Sequence, residues 1–249
     1  MYSLGVQLYT ARKMLQTPGN LEKTLLALKK MGYETAQLYG SAEQISEFAV
    51  ACDAVGLTPV GFLADLNTCE KHGQELFDLC AEYGMQDVGV SAPLMEYAEI
   101  PGYIQRVNAF ARRAKAEGLT FSYHNHGHEF IKTACGKTAM ELFLQGFDPE
   151  FVDFMPDTYW IQDGGADVRH VLEQMNGRVK ILHLKDMKRT ADGHTYAEIG
   201  SGNLYFTGII ETAKKIGVQH FVVEQDECDG DPLDSLQKSI GYLRSNQLP

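Results

Sequence analysis

The chain has 249 residues, 44% of them hydrophobic and 22% charged, with a formal net charge of −11. That length and mixture suit a globular chain that buries its core without disulfides, and the negative balance disfavours a DNA or RNA partner, whose phosphates it would repel. The five cysteines (Cys52, Cys69, Cys80, Cys135 and Cys228) are scattered and form no C-x-x-C pair, which argues against a disulfide framework or a zinc knuckle and fits a reducing compartment.

No apolar run approaches the roughly 20 residues that span a bilayer. The start, Met1-Tyr2-Ser3-Leu4-Gly5-Val6-Gln7, has no basic segment ahead of an apolar one. It reads as a first strand and not a signal peptide, so a cytoplasmic location is expected. From there one unit recurs: an amphipathic helical stretch, a Gly, a short apolar strand, then a polar loop. The expected strands are Ser3–Tyr9, Thr35–Tyr39, Thr58–Phe62, Asp87–Ser91, Thr120–His124, Val152–Asp157, Lys180–Leu184 and Phe221–Glu224. Gly32, Gly56, Gly84, Gly118, Gly177 and Gly217 precede strands, where a left-handed residue stops a helix and turns the chain. "NLEKTLLALKKM" and "YIQRVNAFARRAKAE" place apolar residues at helical spacing.

No linker or low-complexity tract divides the chain, so residues 1–249 are expected to form one domain. Strands alternating with helices predict a parallel sheet, and eight of them predict a single (β/α)8 barrel. An open doubly wound sheet would carry a Gly-rich phosphate loop after its first strand. "LYTARKMLQTPGN" stands there instead.

Such barrels carry their active sites at the C-terminal ends of the strands. The first strand ends in Gln7-Leu8-Tyr9, and strands five to eight end in "FSYHNHGHEF", "DFMPDTYW", "ILHLKDMKR" and "FVVEQDE". Each of the last four finishes an apolar run with a His or a carboxylate. His124, Asp157, His183 and Glu224 together offer two imidazoles and two carboxylates, which suit one divalent Mn, Zn, Co or Fe ion better than Mg or Ca. Strand alternation puts His126 on the face of His124 if the strand continues, and Lys185 on the face of His183. Each residue also has a plainer reading: a hydrogen-bonded strand-end His, a helix cap at Asp157, a Lys partner for Glu224.

"YHNHGHEF", "PDTYW", "ILHLKDMK" and "FVVEQDE" resemble the xylose-isomerase-like TIM-barrel superfamily of sugar epimerases, isomerases and inosose-type dehydratases, which also contains the family-2 apurinic endonucleases. The likeness runs from "LGVQLYTAR" to "VVEQDE". In the epimerases four strand ends give Glu, Asp, His and Glu to one metal. Carried over, the last three fall on Asp157, His183 and Glu224. The first falls on His124, which departs from the two-glutamate proton exchange. Trp160 stands where those epimerases often have a His.

The resemblance implies a metal-dependent sugar or cyclitol isomerase/epimerase or dehydratase/lyase that abstracts a proton next to a carbonyl. The expected catalytic residues are Glu224, His126 and Lys185, and the expected substrate contacts are Gln7, Tyr9, Trp160 and Glu129, with His128 beside it. The Gly200-Ser201-Gly202 turn, after Glu198, reads as a plain turn or a phosphate cradle over the site. The expected partner is a small sugar or cyclitol, with no nucleic acid and no membrane. A homo-oligomer is compatible with the resemblance. The rival functions are a non-catalytic sugar-binding or auxiliary barrel and an endonuclease-like hydrolase, the latter disfavoured by the charge.

Overall fold

The computed structural model describes residues 2–248. Eight parallel strands form one sheet: β1 Ser3–Gln7, β2 Thr35–Tyr39, β3 Thr58–Asp65, β4 Asp87–Ser91, β5 Thr120–His124, β6 Asp153–Met155, β7 Ile181–Leu184 and β10 His220–Val223. Two more, β8 Asp186–Thr190 and β9 Gly193–Ala197, make an antiparallel hairpin directly after β7. In the sheet β10 lies between β1 and β7, so first and last strands meet. The remaining seam, β6 to β7, is held by bridges between Phe154 and Val179 and between Asp157 and His183, with Phe154 N–H donating to Arg178 O and His183 N–H to Pro156 O. Helices connect the strands around this nearly closed ring, which is the expected (β/α)8 barrel.

The six glycines expected to stop helices or start strands all have φ between 68° and 100°, conformations that a Cβ would strain. β3 runs three residues past the expected end, to Asp65, and β10 spans His220–Val223 and not Phe221–Glu224; two further strand ends differ from expectation for local reasons. β1 stops at Gln7 because the Gln7 side chain accepts the Tyr9 N–H at 3.2 Å and caps a 3-10 turn over Leu8–Ala11. β6 ends at Met155, ahead of Pro156, which has no N–H to give a ladder. The β8–β9 hairpin was not expected; its Asp192-Gly193 step is the available turn signal.

The core has two parts. A large one packs strands against helices, and a small one of Val60, Met155, Ile181 and Val222 plugs the barrel itself. Each such aliphatic side chain contributes ~1.5–3 kcal/mol by leaving water. Toward the C-terminal ends of the strands the buried residues become polar: Gln7, Gln37, His124, Asp157, His183, Lys185 and Glu224. Buried polar groups need partners, and those partners define the site. Among the described residues, no helix is long and apolar enough to cross a membrane.

One buried carboxyl lies at the other end of the strands. Asp87, at the start of β4, accepts from Ser122 Oγ at 2.5 Å through one oxygen and has no partner for the other. Burial, with a small addition from Asp153, pushes its pKa up to about 7. The folded protein therefore holds a proton that the unfolded chain releases near pH 4. Stability from this group is complete below that and is lost as pH rises to about 7, costing ~4 kcal/mol above it. Asp87→Asn is expected to raise the melting temperature more at pH 8 than at pH 5 in parallel thermal denaturations; an equal change at both would contradict this.

Candidate metal centre and substrate cavity

The β6–β7 seam does more than close the barrel. The Asp157–His183 bridge sets these two residues side by side, and Glu224 N–H donates to Leu184 O one strand further on. His124 ends β5 next to Met155 of β6. One donor atom from each of His124, Asp157, His183 and Glu224 lies within 4.8 Å of the others, and all four residues are buried. Two of them, His124 and Glu224, line a cavity of about 350 Å³ whose walls also include Tyr9, Tyr39, His126, Trp160, Lys185 and Asp226.

Each ligand-type side chain is held by a second group. His124 Nδ1 lies 3.2 Å from the Met155 carbonyl oxygen, which can only accept, so the proton is on Nδ1 and the Nε2 lone pair is free. Burial, followed by the neighbouring His183 and His126, pushes the His124 pKa well below the usual imidazole value, so the ring is neutral. Asp157 caps the short helix Thr158–Asp163 with Oδ1, which accepts the Trp160 N–H at 3.1 Å. Its backbone N–H donates to Asn125 Oδ1. Asp157 is thus a helix cap through one oxygen and a site residue through the other.

Lys185 supplies the only ammonium among these groups. Its Nζ lies 3.1 Å from Asp157 Oδ2, 3.2 Å from Glu224 Oε2 and 2.8 Å from Asp226 Oδ1. It also sits 5.2 Å from the Trp160 ring centre, a cation–π distance. Burial would lower its pKa, but Asp157, Glu224 and Asp226 outweigh burial and hold it protonated. Burial raises Asp157, and it raises Asp226 together with the nearby Glu224 charge. Glu224 is also pushed up by burial, but Lys185 and His183 prevail and keep it below the carboxylate range.

This donor set fits a divalent cation on two observations. Asp157 Oδ2 is buried without a hydrogen bond, since Lys185 approaches it outside hydrogen-bond geometry. His183 Nδ1 lies 2.8 Å from Glu224 Oε2 while His183 Nε2 lies 2.6 Å from Gln37 Oε1. Two imidazoles and two carboxylates are also a set that borderline transition metals accept.

The other expected site residues take varied places. β5 ends at His124, so His126 does not continue the strand. Its ring still comes within 5.2 Å of the His124 ring and 5.5 Å of the Trp160 ring, and lines the cavity. Burial, then Lys185, pushes the His126 pKa down to about 4, away from the near-neutral value expected for an unperturbed imidazole. Tyr9 lines the cavity with its ring edge-on to Tyr39. Gln7 borders it but is fully buried, its side-chain bonds going to Tyr9 N–H and Gln37.

Glu129 turns away from this cavity. Its two oxygens accept from Tyr123 OH at 2.7 Å and from His126 N–H at 2.8 Å, and burial raises its pKa to about 7. With His128 it lines a neighbouring cavity of about 310 Å³. Glu198 bonds Ser235 and Lys238 of the last helix. The Gly200-Ser201-Gly202 turn is not a free phosphate cradle. The N–H groups of Gly200 and Gly202 both donate at 2.9 Å to Asp186 Oδ2, and those of Met187 and Leu204 donate to Oδ1. A Cβ at Gly202 would run into that carboxylate. Gln37, Asp226, Asp186 and Tyr196, which stacks on Tyr159, were not singled out from sequence. Gln37 had a signal: "VQLY" at 6–9 recurs as "AQLY" at 36–39.

Fold and site together define a (β/α)8 barrel with a polar, metal-ligand-type centre at the C-terminal strand ends. The chain belongs to the xylose isomerase-like TIM barrel family, whose model matches residues 25–246. It is 24% identical over 257 residues to an inosose dehydratase of Mesomycoplasma hyopneumoniae (strain 7448), covering 92% of this chain and 81% of that one. Among solved structures it is similar to a sugar phosphate isomerase/epimerase from Parabacteroides distasonis, with TM-score 0.81, 23% identity and coverage of 98% and 94%. It is also similar to the 3-keto-D-glucoside 4-epimerase of E. coli, with TM-score 0.73, 17% identity and coverage of 98% and 100%.

The loop from β7 to residue 204 hangs on Asp186. Asp186→Ala is expected to cost ~3 kcal/mol in a urea titration, because charge-assisted bonds to four part-buried N–H groups are lost, and Asp186→Asn less, because one acceptor oxygen remains. Equal losses, or none, would contradict that role.

Proposed function

We propose that the chain is a metal-dependent enzyme of the sugar isomerase, epimerase and dehydratase group, working as one barrel domain over residues 1–249 on a small sugar or cyclitol in the cytoplasm. The observation that carries this reading is the convergence of donor atoms from His124, Asp157, His183 and Glu224 beside a cavity that His124 and Glu224 line. Its size, about 350 Å³, falls at the small end of the about 300–1,000 Å³ typical of small-molecule sites.

A bound divalent ion, with Mn, Zn, Co or Fe favoured over Mg or Ca, would act as a Lewis acid toward a substrate oxygen. The protein groups would do the rest. Lys185, held as an ammonium by three carboxylates, hydrogen-bonds a substrate oxygen on which negative charge develops and does not act as a base. Glu224 and His126 are the proton carriers at carbon. His126 is neutral at ordinary pH and accepts a proton without first losing one; its protonated form is then a strong acid toward a leaving hydroxyl. Trp160 offers an indole face to the C–H surface of a sugar ring.

The relatives' names support this class of chemistry. One is a dehydratase of an inosose, the other inverts a carbon beside a keto group. An unphosphorylated substrate is favoured: Asp186 fills the Gly-rich turn, and Lys188 and Arg189 both lie exposed on the hairpin. The −11 charge favours a small molecule over nucleic acid.

The test is solvent deuterium exchange by the metal-loaded protein across a panel of keto-sugars and inososes. The expected result is deuterium at the carbon beside the carbonyl of at least one compound, slowed about 10²–10³-fold in Lys185→Met, the usual cost of removing one oxyanion-stabilising donor. No exchange with any compound, together with binding, would make the barrel a sugar-binding protein without catalysis.

A further inference from the structure

Gln7 and Gln37 pair in register on β1 and β2, and neither is exposed to solvent. Their carboxamides form one directed chain of hydrogen bonds. Gln7 Oε1 accepts from the Tyr9 backbone N–H at 3.2 Å. A backbone N–H only donates, so this end of Gln7 is its oxygen and its amino group faces Gln37. Gln7 Nε2 then donates to Gln37 Oε1 at 2.7 Å. The same oxygen lies 2.6 Å from His183 Nε2. An amide oxygen only accepts, so His183 carries a proton on Nε2; its Nδ1 faces a second acceptor, Glu224 Oε2, and is the nitrogen turned toward the cluster of ligand-type groups. Gln37 cannot be turned over without cost. Its amino group reaches Met155 Sδ at 3.1 Å, and in the reversed orientation the oxygen would face that sulfur while two amino groups met at Gln7.

We propose that Gln7 and Gln37 are positioning residues that transmit a fixed direction from the main chain of Tyr9 to His183, holding its proton on Nε2 so that Nδ1 is the nitrogen offered to the metal centre. His183 Nδ1 lies 2.8 Å from Glu224 Oε2 and 3.9 Å from Asp157 Oδ2. A cation there would bind the Nδ1 lone pair in place of any proton shared with Glu224, and the partner on the other nitrogen keeps the Nε2 proton out of the way. His124 is held by the opposite nitrogen, with its Nδ1–H on the Met155 carbonyl and Nε2 free. The relay also explains why a neutral amide occupies position 37. A carboxylate would accept the same proton but add another buried negative charge next to Asp157, Glu224 and Asp226.

The inference rests on the metal-centre reading only for its consequence; the tautomer itself is measurable without metal. Nitrogen-15 NMR of the metal-free protein at pH 8 reads which imidazole nitrogen of His183 carries the proton. The expected result is Nε2–H in the wild type and in Gln37→Glu, which keeps an acceptor. In Gln37→Met, which removes it, the proton is expected to move to Nδ1 and bond Glu224. Zn²⁺ affinity, measured by competition with a chelator, is expected to fall about 10–100-fold in Gln37→Met. No proton on Nε2 in the wild type, or an Nε2 proton and Zn²⁺ affinity unchanged in Gln37→Met, would overturn the proposal. If the wild type binds no Zn²⁺, the metal reading fails while the tautomer still decides the relay.

Discussion

Three carboxylates face one ammonium inside the barrel. Asp157, Glu224 and Asp226 surround Lys185 within about 3 Å, and ions so deeply buried persist only when paired and hydrogen-bonded. With every carboxylate ionised the group carries two negative charges in excess. Protonation relieves part of this, in keeping with the raised Asp157 and Asp226. A divalent cation would relieve all of it. The surrounding neutral groups suit that demand: His124 is kept uncharged by burial, and Gln7 and Gln37 bring direction without charge.

The backbone makes this arrangement repeatable. The apolar plug of Val60, Met155, Ile181 and Val222 fills the barrel below the site, so the polar side chains above it have little room to move. The β6–β7 seam fixes Asp157 against His183, and the helix cap of Asp157 frees one oxygen by using the other. Above, Trp160 and Tyr196 cover Lys185, and Tyr196 belongs to the hairpin that Asp186 ties down through the Gly200–Gly202 turn. The same carboxylate that removes a phosphate cradle gives the cavity a stable wall.

Much of this was legible in the sequence because it is periodic. Strand after glycine after helix marks a barrel, and a His or carboxylate at the end of an apolar run marks the catalytic face. What lay beyond reading depends on contacts between distant segments. Asp226 follows "FVVEQ" as one more acidic loop residue, and only the bend of the chain sets it on Lys185. Glu129 looked like a substrate contact, yet it is spent on Tyr123 and on the His126 backbone. His126 kept its place near the cavity although the strand meant to carry it stops two residues earlier. Gln37 was within reach, since the repeated Gln-Leu-Tyr places a polar residue inside two adjacent strands, where burial requires it to find a partner.

The central claim is that His124, Asp157, His183 and Glu224 hold one divalent ion together. Crystals soaked in Zn²⁺ and measured on both sides of the zinc absorption edge test it directly. The expected result is a single strong anomalous peak bounded by His124 Nε2, His183 Nδ1 and the carboxylates of Asp157 and Glu224. No peak there, or a peak instead at the neighbouring His126, His128 and Glu129 group, would contradict it.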